Sequence, residues 1–273
     1  MASDARSGQG PRDIESTLEL IQRLHSDRRV RDTRGLFFGE GIRNFTSAVE
    51  HGYPIDTIVY SERLLIAPVA RALVRRLKRE GVPYAQLSPE QFRAVSHTER
   101  ASGVGVILRQ RIRRLADIIP AENPCWVAVE QVRSPGNFGS LMRTSAAVGG
   151  GGFILLGRST DPYDPAVVRP SMGALFRQTL ARASIAELNA WVARHHLSVV
   201  AASPDGATDF HRAHFARPVL LMLGEERRGL THEQRVIAHQ IVRIPMAEGV
   251  DSLNLAVAGS LLMYEALRSG DRS

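Results

Sequence analysis

From residue 125 onward the sequence alternates between short, continuous apolar runs and stretches with helical spacing. The runs 125–132, 152–156, 198–202, 219–223 and 241–245 predict buried strands. The stretches 140–148, 186–196 and 253–268 predict helices, the last amphipathic and closing the chain. Strands that alternate with helices imply a mostly parallel sheet with helices on both faces, so the expected fold class is α/β.

The first 110 residues read as a smaller α/β domain. Residues 1–15 are polar and predict a disordered tail, although Ile14, Leu18, Ile21 and Leu24 recur at helical spacing. The run 28–34 reads as a basic loop. A strand and turn over 35–41 precede a helix to about residue 51, closed by Gly52. A strand at 55–60, a helix at 68–79, and strands at 82–87 and 103–108 complete this domain. Residues 111–123 are charged and aperiodic and read as a linker, with the second domain over 124–273.

Composition narrows the chemistry. Cys125 is the single cysteine, which excludes a disulfide framework and a cysteine-built zinc or iron–sulfur site. No apolar run approaches the ~20 residues that span a bilayer. The polar start lacks the apolar core of a signal peptide, so a cytoplasmic protein is expected. The net charge is +7, and of the 35 basic residues only Lys78 is a lysine. Residues 1–123 carry 20 basic and 15 acidic side chains, and 124–273 carry 15 and 13. A basic excess in the first domain, built from planar guanidinium groups that bind phosphate, points to a nucleic acid, against the plainer reading of an Arg-rich surface. The candidate contacts are Arg28, Arg29, Arg31 and Arg34 of the basic run, Arg43, and Arg71, Arg75 and Arg79 on one helix face.

Three segments leave predicted strands at their carboxyl ends, where open α/β sheets bind ligands. The first is Ser134-Pro-Gly-Asn-Phe-Gly-Ser-Leu-Met-Arg143, in which Asn137 is placed to cap a helix and Arg143 follows Gly139 by four residues. The second is Leu221-Met-Leu-Gly-Glu-Glu-Arg-Arg-Gly-Leu230. The third is Ile244-Pro-Met-Ala-Glu-Gly-Val-Asp-Ser-Leu-Asn254, in which Ser252 is the natural N-cap of the closing helix. Each alone is ordinary loop chemistry.

In this order and spacing the three are specific. Residues 124–270 resemble the TrmH/SpoU family of the SPOUT methyltransferase superfamily. Asn137-x-Gly139-x3-Arg143, Leu223-Gly-x-Glu226-x2-Gly229-Leu230 and Ile244-Pro-Met246 with Ser252-Leu-Asn254 carry the likeness, and Tyr163 to Ala174 is similar to the family's segment between the first two motifs. Residues 18–110 resemble an L30e-like substrate-binding domain, with Phe38-Gly-Glu-Gly-Ile-Arg43 in place. Ala48 to Gly52 and Tyr163 to Pro165 are similar to the avilamycin-resistance type of 23S rRNA methyltransferase. Glu225 and Pro170 depart from the usual pattern.

The resemblance implies a trefoil-knotted domain, an exception to unknotted folding. It implies S-adenosylmethionine as cofactor, 2′-O-methylation of a ribose in structured RNA with 23S rRNA foremost, and a homodimer with sites built from both protomers. It assigns Arg143 to the reacting hydroxyl. A guanidinium stays protonated, so it would grip the adjacent phosphate and stabilise developing charge rather than act as a base. Asn137 would orient Arg143 or the ribose, and Glu226 would fix the second loop or a partner's arginine. Ser252 and Asn254 would hold the third loop and the nucleotide. The cofactor would lie against Leu223, Gly224, Glu225, Gly229, Ile244, Met246, Ser252 and Leu253. Methyl transfer from a sulfonium needs no metal, and no membrane partner is expected. A tRNA methylase and a catalytically silent RNA-binding protein are the alternatives; a NAD dehydrogenase lacks its fingerprint. His195, His196, His232, His239 and Cys125 read as helix ends, solvated face and core. The run Gly149 to Gly152 has no GxGxxG register.

Overall fold

A computed structural model describes residues 10–120, 125–250 and 252–270. The first part of the chain forms α1 (Ile14–Ser26), α2 (Arg28–Arg34), β1 (Leu36–Glu40), α3 (Ile42–Glu50), β2 (Ile55–Tyr60), α4 (Pro68–Arg79), β3 (Tyr84–Gln86), α5 (Pro89–Val95) and β4 (Val104–Arg109). Then follow β5 (Arg113–Arg114), β6 (Trp126–Val129), α6 (Pro135–Ala147), β7 (Gly152–Leu156), α7 (Pro165–Ser171), β8 (Thr179–Ala183), α8 (Ile185–His195) and β9 (Ser198–Ala202). The chain continues through β10 (Thr208–Asp209), β11 (Val219–Leu223), α9 (His232–Ile237), β12 (Gln240–Arg243) and α10 (Leu255–Gly270). The described residues form two compact units, one drawn from 1–110 with 163–177 and the other from 111–162 with 178–273.

The first unit is a four-stranded sheet, β1-β4-β2-β3, with β4 antiparallel to both neighbours and β2 parallel to β3. One face packs Phe38, Val59 and Ile107 against Ile21 and Leu24 of α1 and Phe92 of α5. On the other, Phe37 meets Tyr53, Tyr163 and Phe176 ring to ring, and the Tyr53 and Tyr163 hydroxyls are 3.1 Å apart. Segment 163–177 thus supplies buried aromatic rings to this unit.

The second unit is an eight-stranded sheet in which every pairing is parallel, in the order β10-β12-β9-β11-β6-β7-β8-β5. All residues of β6, β7 and β11 are buried. Trp126 and Ile154 pack with Leu188 and Trp191 of α8 on one face, and Phe153 meets Phe138 of α6 on the other. The glycine run before β7 is close packing: a Cβ at Gly152 would fall 1.9 Å from the Thr179 carbonyl oxygen, at φ 147°. Cys125 is buried, which pushes its thiol up to about 12.

Several expectations need correction. The part of the expected tail that is described, residues 10–15, is ordered: Arg12 N–H donates to the Tyr84 carbonyl, and Asp13 caps α1 through Ser16 N–H; residues 1–9 lie outside the described residues. The run Arg28–Arg34 is a helix rather than a loop, because Asp27 accepts from Arg29 N–H and Gly35 closes it at φ 62°. Within the expected linker, Arg113 and Arg114 pair with β8, and Leu115 and Ile118 are buried, the Ile118 carbonyl accepting from Trp191 Nε1. Helix α6 begins at Pro135, so Asn137 lies inside its first turn instead of capping it. Asn254, not Ser252, caps α10, accepting from Ala256 and Val257 N–H. His239 lies beyond α9, where its Nδ1 accepts from Val199 N–H. Helices α5 and α7 and strand β8 had no expectation: they are short or, like the Thr179-Leu-Ala-Arg-Ala183 strand, interrupted by charge.

No helix among the described residues is long and apolar enough to cross a membrane. No group of three or more His, Cys, Asp or Glu side chains among them is placed to hold a metal ion.

Arg31 is 3% exposed and donates to the Leu24 carbonyl at 2.7 Å and to Asp164 Oδ2 at 3.5 Å. It is therefore a core clamp and leaves the set of nucleic-acid contacts. Arg31→Met should lower stability by about 1–3 kcal/mol, the cost of orphaning buried polar partners. Urea unfolding measures this, and polynucleotide affinity at fixed salt should not change; the reverse pattern would return Arg31 to the binding surface.

Candidate active site

Strand β6 pairs with β11 from Trp126–Leu220 to Val129–Leu223, β9 flanks β11 on its other side, and β12 flanks β9. From β6 the chain moves one way, to β7 and β8, whereas the connection that leaves β11 runs the other way, past β9 to β12. The β6/β11 boundary is therefore a topological switch, where carboxyl-end loops diverge and leave a crevice. The first two motifs follow β6 and β11, and the third follows β12.

At this crevice Asn137 Nδ2 donates to Glu226 Oε1 at 2.6 Å, and Asn254 Nδ2 donates to Asn137 Oδ1 at 3.0 Å. One side chain from each motif thus joins a single hydrogen-bonded chain. Its far end is rigid, because Asn254 Oδ1 also caps α10. The second loop is a tight hairpin in which Glu225 and Gly229 exchange both backbone bonds, at 3.0 and 2.9 Å. Arg133, just before α6, holds Glu225 through Nε at 2.7 Å and a second nitrogen at 2.6 Å. The unusual glutamate at 225 is matched by this arginine, so consecutive residues of the second loop are tied to the first by two different bonds.

Beside this chain lies a cavity of about 480 Å³. Leu223, Gly224, Glu225, Gly229, Ile244, Met246, Ser252 and Leu253 all line it, and so does Glu226. A size within ~300–1,000 Å³ and mainly apolar walls with a few polar groups suit a small organic ligand. Sequence reasoning missed Arg133 and a further polar wall, Ser203, Asp205 and Arg235. Arg133 carried a signal, since it stands beside the first motif and opposite in sign to Glu225. The polar wall belongs to no motif.

Arg143 is exposed on α6 and does not join the hydrogen-bonded chain. It follows Asn137 by six residues, about 9 Å along the helix and ~120° around it. In the first unit Arg28 pairs with Asp32 at 3.5 Å, while Arg29, Arg34, Arg43, Arg75 and Arg79 are exposed. Arg71 is turned back onto the Leu65 and Glu62 carbonyls, which fastens the start of α4. His195 and His196 end α8 as expected, with His196 its left-handed C-cap.

Comparison with known proteins places this geometry. The SpoU rRNA Methylase family matches residues 124–264, and an MRM3-like substrate binding domain matches residues 16–105. The chain is 33% identical over 254 residues to the 23S rRNA (uridine(2479)-2′-O)-methyltransferase of Streptomyces viridochromogenes, covering 90% of this chain and 88% of that protein. It is similar to the crystal structure of an AdoMet-bound rRNA methyltransferase from Sinorhizobium meliloti, with TM-score 0.84, 31% identity and coverage of 96% and 98%. It is likewise similar to the SpoU methyltransferase AviRb from Streptomyces viridochromogenes, with TM-score 0.84, 30% identity and coverage of 94% and 98%. The chain belongs to the SpoU rRNA Methylase family and is an RNA methyltransferase.

The coupling between the loops is testable through charge. Asn137→Asp would set a carboxylate against Glu226 at hydrogen-bond distance, where both cannot ionise, and one carboxyl would be raised well above its usual range. A group whose pKa is raised on folding gives stability that is lost as pH rises through the raised value. The variant's Tm should therefore fall away from wild type between about pH 5 and 8. A pH-independent difference would show that the two side chains are not coupled.

Proposed function

We propose that this methyltransferase moves the methyl group of S-adenosylmethionine to a ribose 2′-oxygen in 23S rRNA, in the cytoplasm. The observation that carries the reading is the Asn254–Asn137–Glu226 chain at the lip of the cavity. It draws one side chain from each motif to the switch point of the sheet. The cavity suits the cofactor: Leu223, Ile244, Met246 and Leu253 give apolar walls for an adenine, and the loop backbone gives polar edges. Those residues would hold the cofactor, which supplies an electrophilic methyl group when bound. The knot of this family would wrap the same loops around it. The first unit, as a substrate-binding module, favours rRNA over tRNA.

The residues then position a ribose hydroxyl and ease the loss of its proton. Asn137 and Asn254 hold the first and third loops in register. Arg143 grips the phosphate beside the reacting ribose and stabilises charge as the oxygen becomes nucleophilic. It lies apart from the hydrogen-bonded chain of its own protomer, so the site is completed by a second copy. The exposed stripe Val257, Leu261 and Tyr264 on α10, at i, i+4 and i+7, supports such pairing. Thr144 next to Arg143 bonds Ser260 of that same helix at 2.8 Å. RNA affinity comes from Arg29, Arg34, Arg43, Arg75 and Arg79.

Arg143→Ala should lower kcat by about 10²–10³-fold while cofactor affinity and Tm hold, as for loss of one preorganised donor. Arg143→Lys should rescue little, because an ammonium cannot reproduce the guanidinium fork. Single-turnover methylation of 23S rRNA fragments with a tritiated cofactor, beside cofactor titration, reads both. Wild-type turnover by the alanine variant would end this assignment.

A further inference from the structure

The motifs account for two sides of the cavity, the loops after β11 and β12. Strand β9 lies between those two strands in the sheet, so a group held between their loops meets the carboxyl end of β9. That end is a stiff polar turn. Ser203 N–H donates to the Val242 carbonyl at 2.9 Å, and Gly206 N–H to the Ser203 carbonyl at 3.1 Å. A Cβ at Gly206 would fall 2.4 Å from the Val242 carbonyl carbon, so the turn is pressed onto β12.

On this turn Asp205 is held by two donors on the same oxygen. Ser203 Oγ and Arg235 Nη2 both donate to Oδ1, the latter at 3.1 Å, and Arg235 also donates to Ser203 Oγ at 3.1 Å. These bonds hold the Asp205 carboxyl below its usual range, so it is ionised at neutral pH. Oδ2 has no hydrogen-bond partner among the described residues. The carboxylate is aimed by its neighbours and retains one accepting oxygen at the cavity wall.

We propose that Asp205, set by Ser203 and Arg235, receives the ribose hydroxyls of the cofactor's adenosine. This rests on the reading of the cavity as the S-adenosylmethionine site. A carboxylate at the carboxyl end of a parallel strand is well placed to accept from a ribose hydroxyl. The Arg235 guanidinium already balances its charge, which favours neutral hydroxyl donors over the cofactor's ammonium group. The assignment also gives the polar wall a task that the apolar residues opposite cannot perform.

The test compares ligands as well as proteins. Isothermal titration of the full chain uses S-adenosylmethionine, adenosine and 2′,3′-dideoxyadenosine. Wild type should bind adenosine at least about tenfold more tightly than the dideoxy compound, the size of a hydrogen bond to a charged group. Asp205→Asn retains an acceptor for Ser203 and Arg235 but replaces the free oxygen by a donor. It should abolish that preference while the affinity for dideoxyadenosine stays within about twofold. Arg235→Gln should weaken the preference by loosening Asp205, with Tm as the check on folding. Equal binding of the two nucleosides by wild type, or an unchanged preference in Asp205→Asn, would overturn the proposal with the cofactor site intact. Failure of S-adenosylmethionine itself to bind would overturn the reading of the cavity and this inference together.

Discussion

Parallel pairing of β6 with β11 is the constraint on which the site depends. Asn137 and Glu226 are 89 residues apart in the chain, and Asn254 is 117 residues beyond Asn137. No local propensity brings such positions together. Burial does: β6 and β11 are apolar throughout, so each must be covered on both faces and paired on both edges. Once they pair in register, the loops that follow them leave the sheet side by side. The Asn137–Glu226 bond then forms between groups that the sheet has already placed, with little ordering cost of its own. Asn254 adds the third loop by capping a long helix, a strong local preference used here at long range.

The basic composition overstates the nucleic-acid surface. A net charge of +7 and thirty-five basic residues suggest broad phosphate binding. Part of that guanidinium is taken up by partners within the chain. Arg31 clamps α1, Arg71 fastens the start of α4, Arg133 and Arg235 pair with Glu225 and Asp205, and Arg243 pairs with Asp209. A planar five-donor group can satisfy several carbonyl or carboxylate oxygens at once, so an Arg-rich chain uses it where other proteins use amides or hydroxyls. Charge counting sees no difference between these roles; burial and partners do.

The strands and the motifs were legible because their signals are local. The runs at 152–156, 198–202 and 219–223 coincide with β7, β9 and β11, and the span 68–79 with α4. All eight residues assigned to cofactor binding line one cavity. What escaped depends on caps that a basic run obscures or on long-range partners. Arg28–Arg34 looks like a loop until Asp27 and Gly35 are read as its caps. Arg113 and Arg114 form a strand only because β8 offers an open edge. Segment 163–177 leaves the methyltransferase half in sequence but belongs to the first unit, since Tyr163 and Phe176 find their aromatic neighbours there. The polar wall of Ser203, Asp205 and Arg235 is invisible in sequence because Arg235 reaches the turn of Ser203 and Asp205 from a separate element, 30 residues beyond Asp205, and the set matches no motif.

The charges around the cavity are not equivalent, and the difference bears on how the proposed site is completed. Three carboxylates line it: Asp205, Glu225 and Glu226. Arg235 balances the first and Arg133 the second. Glu226 is held instead by a neutral amide, that of Asn137. A neutral donor orients the carboxylate without cancelling its charge, and the adjacent Arg227 and Arg228, which also line the cavity, are exposed. Within one chain Arg143 stands about two helical turns beyond Asn137, on another side of α6. In the proposed dimer an Arg143 delivered by the second copy would meet the one lining carboxylate that forms no ion pair among the described residues, held in place by Asn137.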